Sequence, residues 1–293
     1  LAPDFFPALF NLGYMYFSQG QHQKAEPLLA RAARVQPKDF NPRYLLGAAL
    51  VALDRREDGL RAWRAALQID PQHVKLMQIM AVEYSKGRYF REAAAVAERA
   101  LQLQPDDPNI HFMAINAYED ARDYAAALKP AQRAVERFPD SARANFEYAF
   151  NLQRLGQAEK GLPYLKQAMA ADPSYEEPFF FYGDLLVKQD RYEEAIPHLR
   201  TAIRNRKDYV AAWIVLAKAW MGLEKYQEAA KVLEEVIALD PSHPMPHLVL
   251  SQICFRLGQE ERARREKEIS LRLRRENPAS MEAVIGRPFP EQP

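Results

Sequence analysis

Cysteine is almost missing from this chain. Cys254 is the only one in 293 residues, so no intrachain disulfide framework holds the fold. A reducing, cytoplasmic setting fits this usage, and so does export of a cysteine-poor protein. A dominant charge is missing too. Forty Lys and Arg against 39 Asp and Glu leave a formal +1, with no global field toward nucleic acid or an anionic membrane. No apolar run approaches the roughly 20 residues that span a bilayer, and the opening LAPDFFPALF has no basic stretch ahead of an apolar one, as a signal peptide would. The 11 glycines are scattered, so no glycine-rich phosphate loop forms, and G-x-S-x-G, HExxH and CxxC do not occur. These absences predict a chain that is not an enzyme, with no catalytic residues, no cofactor and no metal.

Proline, by contrast, is plentiful and periodic. Pro3, Pro37, Pro71, Pro105, Pro139, Pro173 and Pro241 fall at steps of 34 or a multiple of it, with Lys207 and Arg275 at the two places the series skips. Small residues keep the same step. Ala25, Gly59, Ala93, Ala127, Gly161, Ala195, Ala229 and Ala263 form one series. Ala32, Ala66, Ala100, Ala134, Ala168 and Ala202 form a second, continued by Val236 and Ser270. Gly13, Gly47, Ala81, Ala149, Gly183, Ala217 and Ser251 form a third, broken by Ile115. A fixed period of this length marks a repeat architecture.

One period reads as a helix pair. Leu9, Leu12 and Tyr16 recur at helical spacing, Gly20 breaks the helix, Ala25, Leu28, Leu29 and Ala32 face a second helix, and Pro37 stops it. Small residues sit where helix axes approach closely and large ones fill the space between. A single pair cannot bury both faces, so it must stack on neighbours. Turns are expected near Gly20, Asp54, Arg88, Arg122, Gly156, Asp190, Glu224 and Gly258.

The step, with Leu12-Gly13, Tyr16, Ala25, Leu29, Ala32 and Pro37 echoed along the chain, resembles the tetratricopeptide repeat. The resemblance covers eight repeats starting near 6, 40, 74, 108, 142, 176, 210 and 244. It implies an all-α fold, a right-handed superhelical solenoid of antiparallel helix pairs over residues 1–277. Residues 1–5 read as the end of a preceding repeat with Pro3 as its turn proline, so the outer side of the first helix, Phe5 and Leu9 included, is expected to be exposed. Residues 278–293 show no helical pattern and read as a flexible tail. The family's bulky position, held by Leu9, Met77, Phe179 and Trp213, carries Arg43, Asn145 and His247 in three repeats, which predicts looser packing there. Lys267 replaces the residue series of Leu29, Trp63, Leu165, Leu199 and Leu233, as a polar terminal cap requires. Pro27, Pro163, Pro197 and Pro130 fall inside second helices and predict mild bends.

By the same resemblance, first helices line the concave face. One row reads Phe10, Tyr44, Gln78, Phe112, Phe146, Phe180; the next Asn11, Leu45, Ile79, Met113, Glu147, Phe181; a third Tyr14, Ala48, Val82, Asn116, Phe150, Asp184, Lys218, with Phe17 alongside. Aromatics in the first row also serve packing in this family. The second row is often asparagine, and here only Asn11 keeps it, which makes the groove apolar. The lysines and asparagines by which chaperone-binding members hold a C-terminal carboxylate are missing, as is the asparagine ladder of sugar-transferase members. The candidate partner is therefore a protein or peptide.

Two other constellations carry less. His243, His247 and Cys254 have helical spacing for a metal, but Pro244 and Pro246 put His243 ahead of the helix and the other two face the core. Between Arg256 and Arg275, eight Arg/Lys and four Glu interleave as on a solvated helix face, without aromatics to stack bases, so nucleic acid is not an expected partner. The sequence thus predicts an interaction scaffold. Its alternatives are a docking arm of an enzyme whose catalytic domain lies elsewhere, and a repeat protein that self-assembles through groove, ends or tail.

Overall fold

Each 34-residue step folds as two helices because its apolar residues return at helical spacing and its helix breakers fall between them. The computed structural model describes residues 4–277, so Pro3 and the tail with its apolar Val284, Ile285 and Phe289 lie outside the described residues. The helices are α1 (Phe6–Ser18), α2 (His22–Val35), α3 (Phe40–Ala52), α4 (Arg56–Ile69), α5 (Val74–Lys86), α6 (Phe90–Leu103), α7 (Pro108–Asp120) and α8 (Tyr124–Arg137). They continue with α9 (Ala142–Arg154), α10 (Ala158–Ala171), α11 (Glu176–Lys188), α12 (Tyr192–Asn205), α13 (Val210–Gly222), α14 (Tyr226–Leu239), α15 (Pro244–Arg256) and α16 (Glu260–Glu276). No strand occurs among the described residues, and the architecture is all-α. Helices α1–α8 form one compact unit and α9–α16 a second.

The turn inside every pair is the same device. Gly20, Asp54, Arg88, Arg122, Gly156, Asp190, Glu224 and Gly258 all take positive φ, at the eight places the period marks. Each turn closes as a Schellman motif. The next residue's N–H bonds back across the turn, as in Gln21 N to Tyr16 O (2.9 Å), Tyr89 N to Tyr84 O (2.8 Å) and Lys225 N to Trp220 O (2.9 Å). Five of the eight residues are not glycine, and an L-residue in this region costs about 1 kcal/mol. First helices start on side-chain caps where the sequence supplies them: Asp39 accepts from Asn41 N, Asp107 from Asn109 N and Ser141 from Ala144 N.

Between the two helices of a pair the small series sets the distance. Ala25, Ala93, Ala127, Ala195 and Ala229 have no exposed surface. A Cβ on Gly59 would lie 2.8 Å from the Gly47 carbonyl oxygen, and one on Gly47 would lie 2.3 Å from Trp63 Cδ1. Leu29 and Leu199 similarly occupy the space left by Gly13 and Gly183, at 3.0 Å and 2.7 Å from a Cβ added there. Volume is exchanged across this contact. The largest residue of its series, Trp63, faces a glycine, whereas at Ile115, the break in the small series, the residue at the same offset as Trp63 from Gly47 is Ala131, and both are fully buried.

The repeats with Arg43, Asn145 and His247 are not packed loosely as a whole. Asn145 is 1% and His247 5% exposed, against 0% for Met77 and 7% for Trp213. Hydrogen bonds anchor both side chains: Asn145 Nδ2 donates to Ser141 O (2.9 Å), and His247 Nδ1 lies 2.7 Å from Glu266 Oε2. Ring nitrogens at this repeat position also tie down the preceding turn. His111 Nε2 donates to Pro105 O (2.8 Å), Trp213 Nε1 to Lys207 O (2.8 Å) and His247 Nε2 to Pro241 O (3.3 Å). Only Arg43 stays half-buried. Of the residues expected at the open first helix, Phe5 is 54% exposed, whereas Leu9 is buried at 7%.

Two outcomes follow from this packing. Ala127→Leu and Ala168→Leu, each placed where no side-chain surface remains, should each lose about 1–3 kcal/mol by overpacking, read by denaturant titration; unchanged midpoints would refute the helix contacts. Arg122→Gly and Glu224→Gly should each gain a few tenths to about 1 kcal/mol, because glycine adopts the left-handed turn without a Cβ clash. A loss of stability at both would show that the side chains hold these turns.

Candidate functional site

In the α1–α8 unit, consecutive first helices present a continuous apolar face. Phe10 and Tyr44 both pack against the cluster of Ala25, Leu29 and Leu45. Tyr44, Ile79 and Met113 pack against the next cluster, which holds Trp63, Leu76, Met77 and Met80. Trp63 is fixed by its Nε1 donating to the Tyr44 carbonyl at 2.9 Å, so a core side chain positions the backbone that carries the tyrosine. Along α1 the rings of Phe6 and Phe10 stack at 5.8 Å and those of Phe10 and Tyr14 at 6.5 Å. On α3, Phe40 stacks on Tyr44 at 5.5 Å and on His73 at 4.5 Å. His73 also caps α5, its Nδ1 accepting from Leu76 N at 3.0 Å.

Exposure divides the predicted residues. Tyr14 (54%) and Val82 (48%) stand open, Asn11 is exposed, and Phe10, Phe17, Tyr44, Gln78, Ile79, Met113 and Asn116 keep partial surface. Leu45 and Phe112 are buried and act as packing between helices. Asn116 Oδ1 meets no hydrogen-bond donor among the described residues.

In the α9–α16 unit the same rows are mostly interior. Phe146 is fully buried, its ring 5.4 Å from both Tyr175 and Phe181 and 5.9 Å from Phe150. Phe150 meets Phe181 at 5.3 Å, and Phe180 meets Tyr209 at 4.7 Å. Phe150 and Phe180 are buried with Phe146, and Phe181, Tyr175 and Tyr209 keep partial surface at the edge of this aromatic group, which is mostly core. Glu147 is fully buried, with Oε1 3.4 Å from Arg143 Nε. Asp184 pairs with Lys188 at 2.6 Å on its own helix, and Lys218 is exposed. The sequence rows therefore overstate the face: a common repeat position does not give a common exposure. They also miss His73, whose cap position was legible but whose stacking on Phe40 depends on the neighbouring helix.

Other chemistry is sparse. No group of three His, Cys, Asp or Glu side chains that could hold a metal occurs among the described residues. His243 caps α15, its Nδ1 accepting from Met245 N at 3.3 Å, and burial pushes its imidazole down. Cys254 is buried, and that burial pushes its thiol up, away from thiolate character. No described helix is long and apolar enough to cross a membrane. On α16, Arg262 reaches Glu234 at 2.6 Å and Arg264 reaches Glu260 at 3.3 Å, the pairing expected of a solvated charged helix.

Comparison with known proteins agrees with this architecture. Tetratricopeptide repeat models match residues 6–39, residues 80–142, 112–176, 149–210 and 182–244 in overlapping windows, and residues 221–268. No curated protein matches the sequence. Similar solved structures include YrrB, a TPR protein with an unusual peptide-binding site, at 21% identity over 63% of this chain and 95% of that one, TM-score 0.51. MamA from Desulfovibrio magneticus RS-1 is 16% identical over 58% of this chain and 96% of that one, TM-score 0.52. A chain of the APC/C hetero-tetramer Cut9-Hcn1 is 13% identical over 90% of this chain and 52% of that one, TM-score 0.59. At these identities the likeness is one of fold. The overlapping matches from 80 to 244 alone exceed half of the 293 residues, and the chain belongs to the tetratricopeptide repeat family.

Proposed function

We propose that this chain is a non-catalytic protein-interaction scaffold. Its array of helix pairs, residues 6–277, is the binding domain, and the first-helix face of the α1–α8 unit holds an apolar segment of a partner protein or peptide. The observation that carries this reading is the continuity of partly exposed Phe10, Tyr14, Tyr44, Ile79 and Val82 over three adjacent first helices. Single exposed apolar residues mean little, but a contiguous patch marks a contact surface. The rings are held in place by stacking, and Tyr44 by its backbone bond to Trp63, so a partner meets a preorganised surface with little side-chain freedom left to lose. Gln78, Asn11 and Asn116 border the patch and supply hydrogen bonds that set register. The same fold carries a peptide-binding site in YrrB.

The test uses a partner recovered by affinity capture and titrated against the intact chain. Tyr14→Ala with Tyr44→Ala should weaken binding by about 2 kcal/mol or more with helicity unchanged, as loss of aromatic anchors does. Phe112→Ala, at a buried position, should instead lower the melting temperature, since such truncations cost about 3–5 kcal/mol. Equal affinity of wild type and the double variant would refute the site.

A further inference from the structure

We propose that the turn from Asp240 to Pro244 is an acid-sensitive latch, in which a proton on His243 uncaps α15 and loosens the α15–α16 pair.

The residue ahead of a first helix serves as its cap. Asp39, His73, Asp107, Ser141 and His243 hold this place at steps of 34 or a multiple of it, and each side chain accepts an N–H of the helix that follows. Histidine is the one type among them whose charge ordinarily changes between about pH 5 and 8. The cap of α15 has the least support. Pro244 and Pro246 stand at its first and third positions and have no N–H, so Met245 N is the one donor among the first three residues. Helix α5, behind His73, begins Val74-Lys75-Leu76 and offers three. His243 Nδ1 accepts from Met245 N at 3.3 Å. That nitrogen can accept only while it carries no proton.

The surroundings disfavour the imidazolium. Half-burial pushes the His243 imidazole down, the nearby His247 adds to this, and Asp240 opposes it. The Asp240 carboxylate is already engaged, accepting from Ser242 N at 3.0 Å and from Ser242 Oγ at 2.6 Å. His73 packs on Phe40 and Tyr44 of the preceding first helix, and the same places on α13 are held by Val210 and Ile214, which do not titrate.

The turn also holds α16. His247 is 5% exposed, and both its ring nitrogens face acceptors, Glu266 Oε2 of α16 at 2.7 Å and Pro241 O of the turn at 3.3 Å. Ser270 of α16, 1% exposed, donates to Pro244 O at 2.8 Å. Movement of the turn therefore disturbs two buried links to α16 as well as the cap of α15. The sign follows from the direction of the shift. A histidine held below its unfolded value, about 6.5, contributes stability that is complete above that pH and is lost as pH falls through it.

The test is hydrogen exchange of the intact chain, read by mass spectrometry on residues 244–256 and corrected for the intrinsic pH dependence of exchange. Wild-type protection there should fall several-fold between about pH 7.5 and about pH 5.5. His243→Asn keeps a capping side chain without a proton to gain, so its protection should stay level over the same range. His243→Ala removes the cap, so protection should be low at both pH values. Residues 142–154, whose helix is capped by Ser141, should be unaffected throughout. An equal fall in wild type and His243→Asn overturns the proposal, as does wild-type protection that does not change. So does His243→Ala that matches wild type at pH 7.5, because the cap then holds nothing. Loss at residues 142–154 in step with residues 244–256 also overturns it, since acid would then act on the whole fold.

Discussion

Every repeat depends on one close contact, where a small residue of the second helix lets it lie directly against the first. Ala25, Gly59, Ala93, Ala127, Gly161, Ala195, Ala229 and Ala263 hold that place in the eight pairs, and all eight are buried. At Gly59 the approach is so close that a single methyl would meet the backbone of α3. Once this distance is fixed, the neighbouring positions must share a constant volume, which is why Trp63 accompanies Gly47 and Leu199 accompanies Gly183. The turns follow from the same constraint, because both helices must reverse within a few residues. Five of the eight turns accept a strained L-residue in order to do so.

Packing of this kind sorts side chains into interior and surface with little regard for residue type. Phe10 and Phe146 occupy equivalent places in their repeats. Phe10 has ring neighbours Phe6 and Tyr14 on its own helix and keeps surface, whereas Phe146 is enclosed by Phe150, Phe181 and Tyr175. The proposed contact surface lies where the array leaves apolar groups uncovered, on the aromatic face of the first three pairs. The final second helix is the opposite case, with Arg264 and Lys267 in place of the usual apolar contacts.

Much of the fold was legible in the sequence because its causes are local. Helix spacing, breakers and small residues recur at one period, and the helices and the eight turns fall where that period puts them. What was not legible depended on partners far along the chain. Ile115 reads as a defect in the small series until it is set beside Ala131, which holds the place of Trp63 and Leu165 in other repeats; both are fully buried. Asn145 and His247 read as weak points, but both are buried, with Asn145 Nδ2 bonded to Ser141 O and His247 Nε2 to Pro241 O. The proposed binding face was legible as a set of rows but not in extent, since exposure of Phe112 or Phe150 is decided by neighbouring helices rather than by spacing.

The claim on which the rest stands is that paired helices are held by complementary volumes at the close contact. Gly47→Ala with Trp63→Leu tests it directly, because it recreates in the second repeat the pairing already present at Ala149 and Leu165. Gly47→Ala alone forces a methyl to 2.3 Å from the Trp63 ring, and Trp63→Leu alone leaves a void and removes the bond to Tyr44 O. Unfolding free energies of the wild type, both single variants and the double variant give the coupling. The account predicts that the double variant is more stable than the sum of the two losses allows, by about 1–3 kcal/mol. Strictly additive losses would contradict it.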